Sequence, residues 1–184
     1  GVEWIGEIPE HWEVRKLKTV GNFVGGTGFP NEYQGLTEEE FPFYKVEDTN
    51  LHGNELYMVN HNNSVGAETA HRLGAKICKA GSVIFPKVGA ALLKNKRRIL
   101  SRTGIFDNNI MGLVLLKGIV SEYITACLTQ VDFGQLSNPG PVPSINEKQL
   151  SSVPIPFPSF IEQQAIADFL DQRTSELDGL IADK

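Results

Sequence analysis

Apolar positions in this chain come as short dense runs between polar, glycine-rich stretches. Only the C-terminal segment spaces them as a helix would over several turns. Phe43-Tyr44-Lys45-Val46 and Ser82-Val83-Ile84-Phe85 read as strands, the second introduced by Gly81. Lys96 to Leu100 predicts another, and Ile110 to Leu116, the most apolar run, predicts a buried strand. Between Glu122 and Val131 the period changes, and Tyr123, Ile124, Cys127, Leu128 and Val131 share one helical face. Residues 50–66 are rich in Asn, Gly and His and read as loop, as does Gly25-Gly26-Thr27-Gly28. Pro86-Lys87-Val88-Gly89-Ala90-Ala91 turns the chain. Near the start, Trp4, Pro9 and Trp12 precede an alternating Val14-Arg15-Lys16-Leu17-Lys18, an arm whose tryptophans are expected to pack on the domain.

Three capping-box patterns mark helix starts. Thr37-Glu38-Glu39-Glu40 predicts a short helical turn, and Ser144-Ile145-Asn146-Glu147 a short helix to about Leu150. Ser159-Phe160-Ile161-Glu162 predicts a longer helix, with Ser159 as N-cap and Glu162 at N3. Just before it, Pro154, Pro156 and Pro158 each remove a backbone donor, so Val153 to Pro158 is expected to be an extended linker. Within the last helix Ile166, Leu170, Leu177 and Leu180 fall at steps of four, seven and three. Arg173 takes the missing seam position and Ile181 adjoins the stripe, which amounts to about two heptads. The fold expected is mixed α/β, α+β-like: one globular domain over 1–158, then a protruding coiled-coil-type helix over 159–184. A stripe ending in mid-pattern is expected of a piece of something longer.

Composition narrows the class. Of 184 residues, 41% are hydrophobic and 21% charged, the balance of a folded soluble protein. No apolar run approaches the roughly 20 residues that span a bilayer, and the first residues lack a signal-peptide core. Cys78 and Cys127 have no metal or redox spacing, so two buried thiols in a reducing cytoplasm are expected.

Net charge is −5, which argues against nucleic acid until its distribution is read. Thr69 to Phe106 holds nine of the 17 basic residues and none of the 22 acidic ones, leaving the remainder at −14. A local basic face binds phosphates by counterion release whatever the global sum. The alternative is a solvated surface balanced by acidic neighbours.

Catalytic patterns are missing from the sequence. There is no phosphate-binding Gly-x4-Gly-Lys-Ser/Thr run and no Gly-x-Ser-x-Gly elbow. Pro30 spoils a dinucleotide fingerprint after Gly28. His11, His52, His61 and His71 have no partner at metal-ligand spacing. Ser137-Asn138-Pro139-Gly140-Pro141 is similar to the Asn-Pro-Pro-aromatic motif of DNA amino-methyltransferases, but lacks its second proline and its stacking ring.

Three stretches then occur in a telling order. They are Gly1-Val2-Glu3-Trp4-Ile5-Gly6-Glu7-Ile8-Pro9-Glu10-His11-Trp12-Glu13-Val14; Lys79 to Phe85 followed by Val88-Gly89; and Val153 to Pro158 followed by Glu162-Gln163-Gln164-Ala165-Ile166-Ala167. Together they resemble one half of the specificity subunit of type I restriction–modification systems. That resemblance implies a recognition domain reading one part of a split double-stranded DNA target, and a spacer helix that pairs antiparallel with a second one. It implies docked methyltransferase (modification) subunits that bring S-adenosylmethionine, and a motor-nuclease restriction subunit that uses ATP and Mg. It implies no cofactor, metal or catalytic centre in this chain. Against that pattern, one recognition domain and a truncated helix are expected in these 184 residues.

Candidate DNA contacts follow from side-chain chemistry. Lys and Arg neutralise phosphates, and Arg, Lys and Asn also read base edges. Lys87, Lys94, Lys96, Arg97, Arg98 and Arg102 are the main candidates; Lys45, Asn50, Asn108 and Asn109 are candidates from neighbouring loops. The helix stripe of Ile166, Leu170, Arg173, Leu177, Leu180 and Ile181 is expected to support a weak homodimer through 160–184. The rival reading is a protein-interaction adaptor that works through this helix, with the basic segment merely solubilising.

Overall fold

The computed structural model describes residues 2 and 4–182, without the side chains of Asp178 and Ala182. Gly1 and Glu3 of the opening motif, and Asp183 and Lys184 of the expected terminal helix, lie outside the described residues. In chain order the elements are β1 (Glu13–Lys16), β2 (Gly21–Gly25), β3 (Phe41–Tyr44), β4 (Tyr57–Met58), β5 (Ser64–Val65) and α1 (Ala67–Arg72). There follow β6 (Val83–Pro86), α2 (Ala90–Leu93), β7 (Arg98–Leu100), β8 (Ile105–Phe106) and β9 (Ile110–Leu115). The chain continues with α3 (Ser121–Gln130), α4 (Phe133–Leu136), α5 (Glu147–Ser151), β10 (Pro154–Phe157) and α6 (Phe160–Ala182). The fold is mixed α/β, as the patterns predict.

The main sheet has the order β2-β9-β6-β7-β4, antiparallel except for β4 beside β7. Its interior strand β9 is apolar at nearly every position because both faces are covered. Met111, Leu113 and Leu115 join Val83, Phe85 and the α3 residues Tyr123, Ile124, Cys127 and Leu128 in one core layer. Ile110, with Ile84, Leu100, Met58 and Phe106, forms the other. Gly112 is required here, since a Cβ would lie 2.6 Å from the Phe106 ring. A smaller sheet, β5-β3-β8, carries Phe43, Val65 and Ile105 inward.

The proline stretch is not a free linker. Pro154–Phe157 pairs antiparallel with β1, Pro156 opposite Val14 and Ile155 opposite Arg15. Prolines at every second residue put all the missing donors on one edge, so Ile155 and Phe157 are left to make the ladder on the other. The carbonyls on the proline edge are closed by side chains instead. Trp4 Nε1 donates to Pro154 O (2.9 Å), Tyr123 OH to Pro156 O (2.8 Å) and Gln163 Nε2 to Pro158 O (3.1 Å).

The box at Ser159 forms as expected: Ser159 N donates to Glu162 Oε2 (3.0 Å) and Glu162 N to Ser159 Oγ (3.3 Å). The other two do not. Residues 37–40 form no helix, and α5 is capped by Asn146 with Gln149, two residues later than predicted. The first turns of α6 are docked, with Gln163 and Ala167 buried. Ile166, expected on the outer stripe, is half-buried against the domain core. Farther along, Leu177 is 60% and Leu180 65% exposed, so the helix protrudes.

Candidate nucleic-acid interface

Strand direction decides which candidates meet. β2 and β6 run toward one end of the main sheet, while β7 and β9 start from it. Lys87 follows β6 at that end, and Asn108 and Asn109 sit just ahead of β9, joined by Lys87 N donating to Asn109 O (2.8 Å). Arg98 opens β7, with Lys96 before it. Lys96 Nζ donates to Asn50 Oδ1, and Arg98 Nη2 to Thr49 O (3.2 Å), fastening the 3-10 turn Val46–Asn50 to the same end. Burial and the neighbouring Arg98 and Lys94 charges lower the Lys96 ammonium's pKa; burial lowers that of Arg98 against the pull of Glu55.

The 3-10 turn is held by groups the sequence reading passed over. Asp48 is fully buried and accepts from Lys45 N (2.7 Å) and from Asn62 Nδ2 (2.8 Å). Burial raises its pKa. Asn54, also fully buried, donates to the carbonyls of Asp48 and Asn60 and accepts from the N–H groups of Val59 and Asn60. The available signal was the density of Asn in 50–63, since amide side chains satisfy backbone groups in irregular loops. On the neighbouring β3 end, Lys45 Nζ lies 4.3 Å from the Phe29 ring centre. Gly26 closes this region: a Cβ there would fall 1.8 Å from Asp107 O.

Two candidates are placed differently. Arg102 lies past the other end of β7, exposed, with Nη2 on Glu40 O (3.2 Å). Arg97 is only 3% exposed, so the expectation of a surface Lys96-Arg97-Arg98 cluster is corrected. Arg97 lies just ahead of β7, in the connection from α2, and its side chain is directed inward. Its guanidinium lies 3.4 Å from the Phe133 ring centre and 5.6 Å from that of Phe85, and donates to Lys96 O (3.0 Å) and Val131 O (3.4 Å). Desolvation pulls its pKa down to about 9 in spite of Asp132. Lys94 is exposed beside α2.

A cleft of about 690 Å³ lies elsewhere, between α3, α6 and the β4 approach. Glu55, Glu122, Asp168 and Asp171 line it and no Lys or Arg does, so it is unsuited to phosphate. Among the described residues no group of His, Cys, Asp and Glu is arranged to hold a metal. Burial pushes the Cys78 thiol up to about 11 and Cys127 to about 12. No helix among the described residues is long and apolar enough to cross a membrane.

A mixed α/β domain with a C-terminal helix has known counterparts. The type I restriction modification DNA specificity domain matches residues 9–183, and the chain belongs to that family. The type I restriction enzyme MjaIX specificity subunit of Methanocaldococcus jannaschii is 28% identical over 189 aligned residues, covering 98% of this chain and 41% of that protein.

Solved structures share the fold. A chain from work on complex assembly and conformational transition of the type I R-M system superposes with a TM-score of 0.74 at 18% identity, over 96% of this chain and 41% of that one. The HsdS subunit of Thermoanaerobacter tengcongensis gives 0.68 at 16%, over 98% and 41%. The S subunit of M. genitalium gives 0.61 at 15%, over 99% and 44%. The chain thus spans about two fifths of the length of these relatives.

Proposed function

We propose that this chain reads one part of a DNA target for a type I restriction–modification complex. The observation that carries the reading is the specificity-domain match across 9–183 on a domain whose sheet end gathers Lys87, Lys96, Arg98, Asn50, Asn108 and Asn109. Lysines there set register on phosphates, while Arg98 and the asparagines have the donor and acceptor geometry for base edges in the major groove. Lys45 and Lys94 border this face; Arg102 lies apart and Arg97 is structural.

Methylation and cleavage belong, in this reading, to partner subunits: S-adenosylmethionine to the methyltransferase subunit, ATP and Mg to the restriction subunit. The chain supplies recognition and no reaction of its own. The exposed helix stripe is its docking element, and in isolation it supports a weak homodimer.

The deciding experiment is selection from random duplexes by this chain with its methyltransferase partner, alongside duplex binding across salt concentrations. An enriched sequence and a steep salt dependence are expected. A chain that enriches nothing and binds without salt dependence is instead an adaptor.

A further inference from the structure

Three lysines outside the sheet-end face share one hollow. Lys16, Lys18 and Lys148, with Ser151 and Ser152, line a depression of about 230 Å³. All three lysines are exposed, and among the described residues none forms an ion pair.

Local structure builds the hollow. Lys16 ends β1 and Lys18 lies in the 3-10 turn Leu17–Thr19, on either side of the fully buried Leu17. Leu17 N donates to Val153 O (2.9 Å), which seats this turn against the C-terminal end of α5. Lys148, Ser151 and Ser152 belong to that end, and the Asn146–Gln149 box fixes the helix phase.

The hollow is also tied to the sheet end. Ile145 N donates to Lys87 O (2.9 Å), and Val88 bridges Ser144. Val83 and Phe85 face the core layer that holds Ile145 and Leu150. Lys148 lies three residues beyond Ile145, in the first turn of α5. The hollow lies by the start of β2, at the opposite end of the main sheet from Lys87, and the 144–153 segment joins the two ends.

We propose that this hollow is a second phosphate-binding site for duplex DNA, in which Lys16, Lys18 and Lys148 contact the backbone and the Ser151 and Ser152 hydroxyls donate to phosphate oxygens. The proposal rests on the DNA-binding reading above and extends its footprint along α5. Ammonium groups are point charges without a planar reading geometry, so the site adds affinity and register and leaves base choice alone.

The test is the triple variant K16A/K18A/K148A of the full chain, with K16R/K18R/K148R as the charge-retaining control. At about 0.1 M salt the Ala variant is expected to bind duplex at least roughly tenfold more weakly. Its log–log salt slope should fall by up to about 2.7, near 0.9 per lost contact. The Arg variant should bind like the parent, all three should melt together, and selected sequences should not change. A parent chain that binds no duplex refutes the DNA reading itself. A parent that binds while the Ala variant keeps its affinity and slope refutes only the hollow, as does a changed base preference or failed rescue by Arg.

Discussion

Trp12 and Glu162 stand 150 positions apart and are joined by a hydrogen bond from the indole Nε1 to the carboxylate Oε1, 3.1 Å long. His11 Nε2 reaches the same oxygen at 2.7 Å, while the other oxygen receives Ser159 N. One carboxylate thus caps α6 and holds the N-terminal arm onto its first turn. The hydrogen bonds, that from His11 foremost, then Ser159 and Trp12, bring the carboxyl pKa down to about 2.

A carboxyl depressed by folding stabilises the folded state above its unfolded pKa, and that contribution fades as pH falls from the ordinary carboxylate range to about 2. Glu162→Gln should therefore lower the melting temperature near pH 7 and narrow its gap from the parent between pH 5 and pH 2. Thermal melts across that range measure this; a constant gap would exclude ionised Glu162 as the fastening group.

Arg97→Ala should destabilise the domain by about 2–4 kcal/mol, because it empties the space over the Phe133 ring beside Phe85. Arg97→Met refills much of that space and should recover most of the loss. Neither change should alter the salt slope of DNA binding. Chemical denaturation and titration report the two effects separately, and a flattened slope in Arg97→Met would return this guanidinium to the interface.

Lys96 and Arg98 carry the opposite expectation. Replacing both with Ala should flatten the slope by about 1.8, at 0.9 per contact, and weaken duplex binding. Adding Arg97→Ala should flatten it no further. Titrations at four or five salt concentrations decide, and an unchanged slope in the double variant would make these charges plain solvated surface.

On α6, Leu170→Asp with Leu177→Asp should abolish self-association without lowering the domain's melting temperature, since both side chains are exposed. Arg173 bonds Glu176 of its own helix at 2.8 Å, so the seam charge is neutralised before any partner arrives. Sedimentation over a wide concentration range is the measurement. A strict monomer, or a dimer indifferent to both substitutions, would remove the stripe as an interface.

The elements legible in the sequence are those set by local period. The apolar run that becomes β9, the helical face of α3 and the Ser159–Glu162 box each specify themselves within a few residues. β4, β5 and β8 have two residues each and exist only through their partners, so no local pattern announces them. The interface divides likewise. Clustered Lys and Arg mark charge, but inward-facing Arg97 separates from Lys96 and Arg98 only through its contacts with Phe85, Phe133 and Val131, distant in the chain. Arg102 separates through strand direction, a property of the sheet. Lys16, Lys18 and Lys148 meet through Leu17–Val153 pairing across the whole chain.

The alternating prolines of β10 have an effect beyond shaping the join between domain and helix. An edge strand is normally a template on which another chain can lengthen the sheet. Here the rim away from β1 lacks hydrogens at Pro154, Pro156 and Pro158, Pro156 and Pro158 are buried, and its carbonyls are already taken by Trp4, Tyr123 and Gln163. A stray extended peptide, or the same strand of a nascent copy, finds neither donors nor free acceptors there. Misassembly by strand addition is closed off at the root of α6, and whatever docks at that root must do so through side chains.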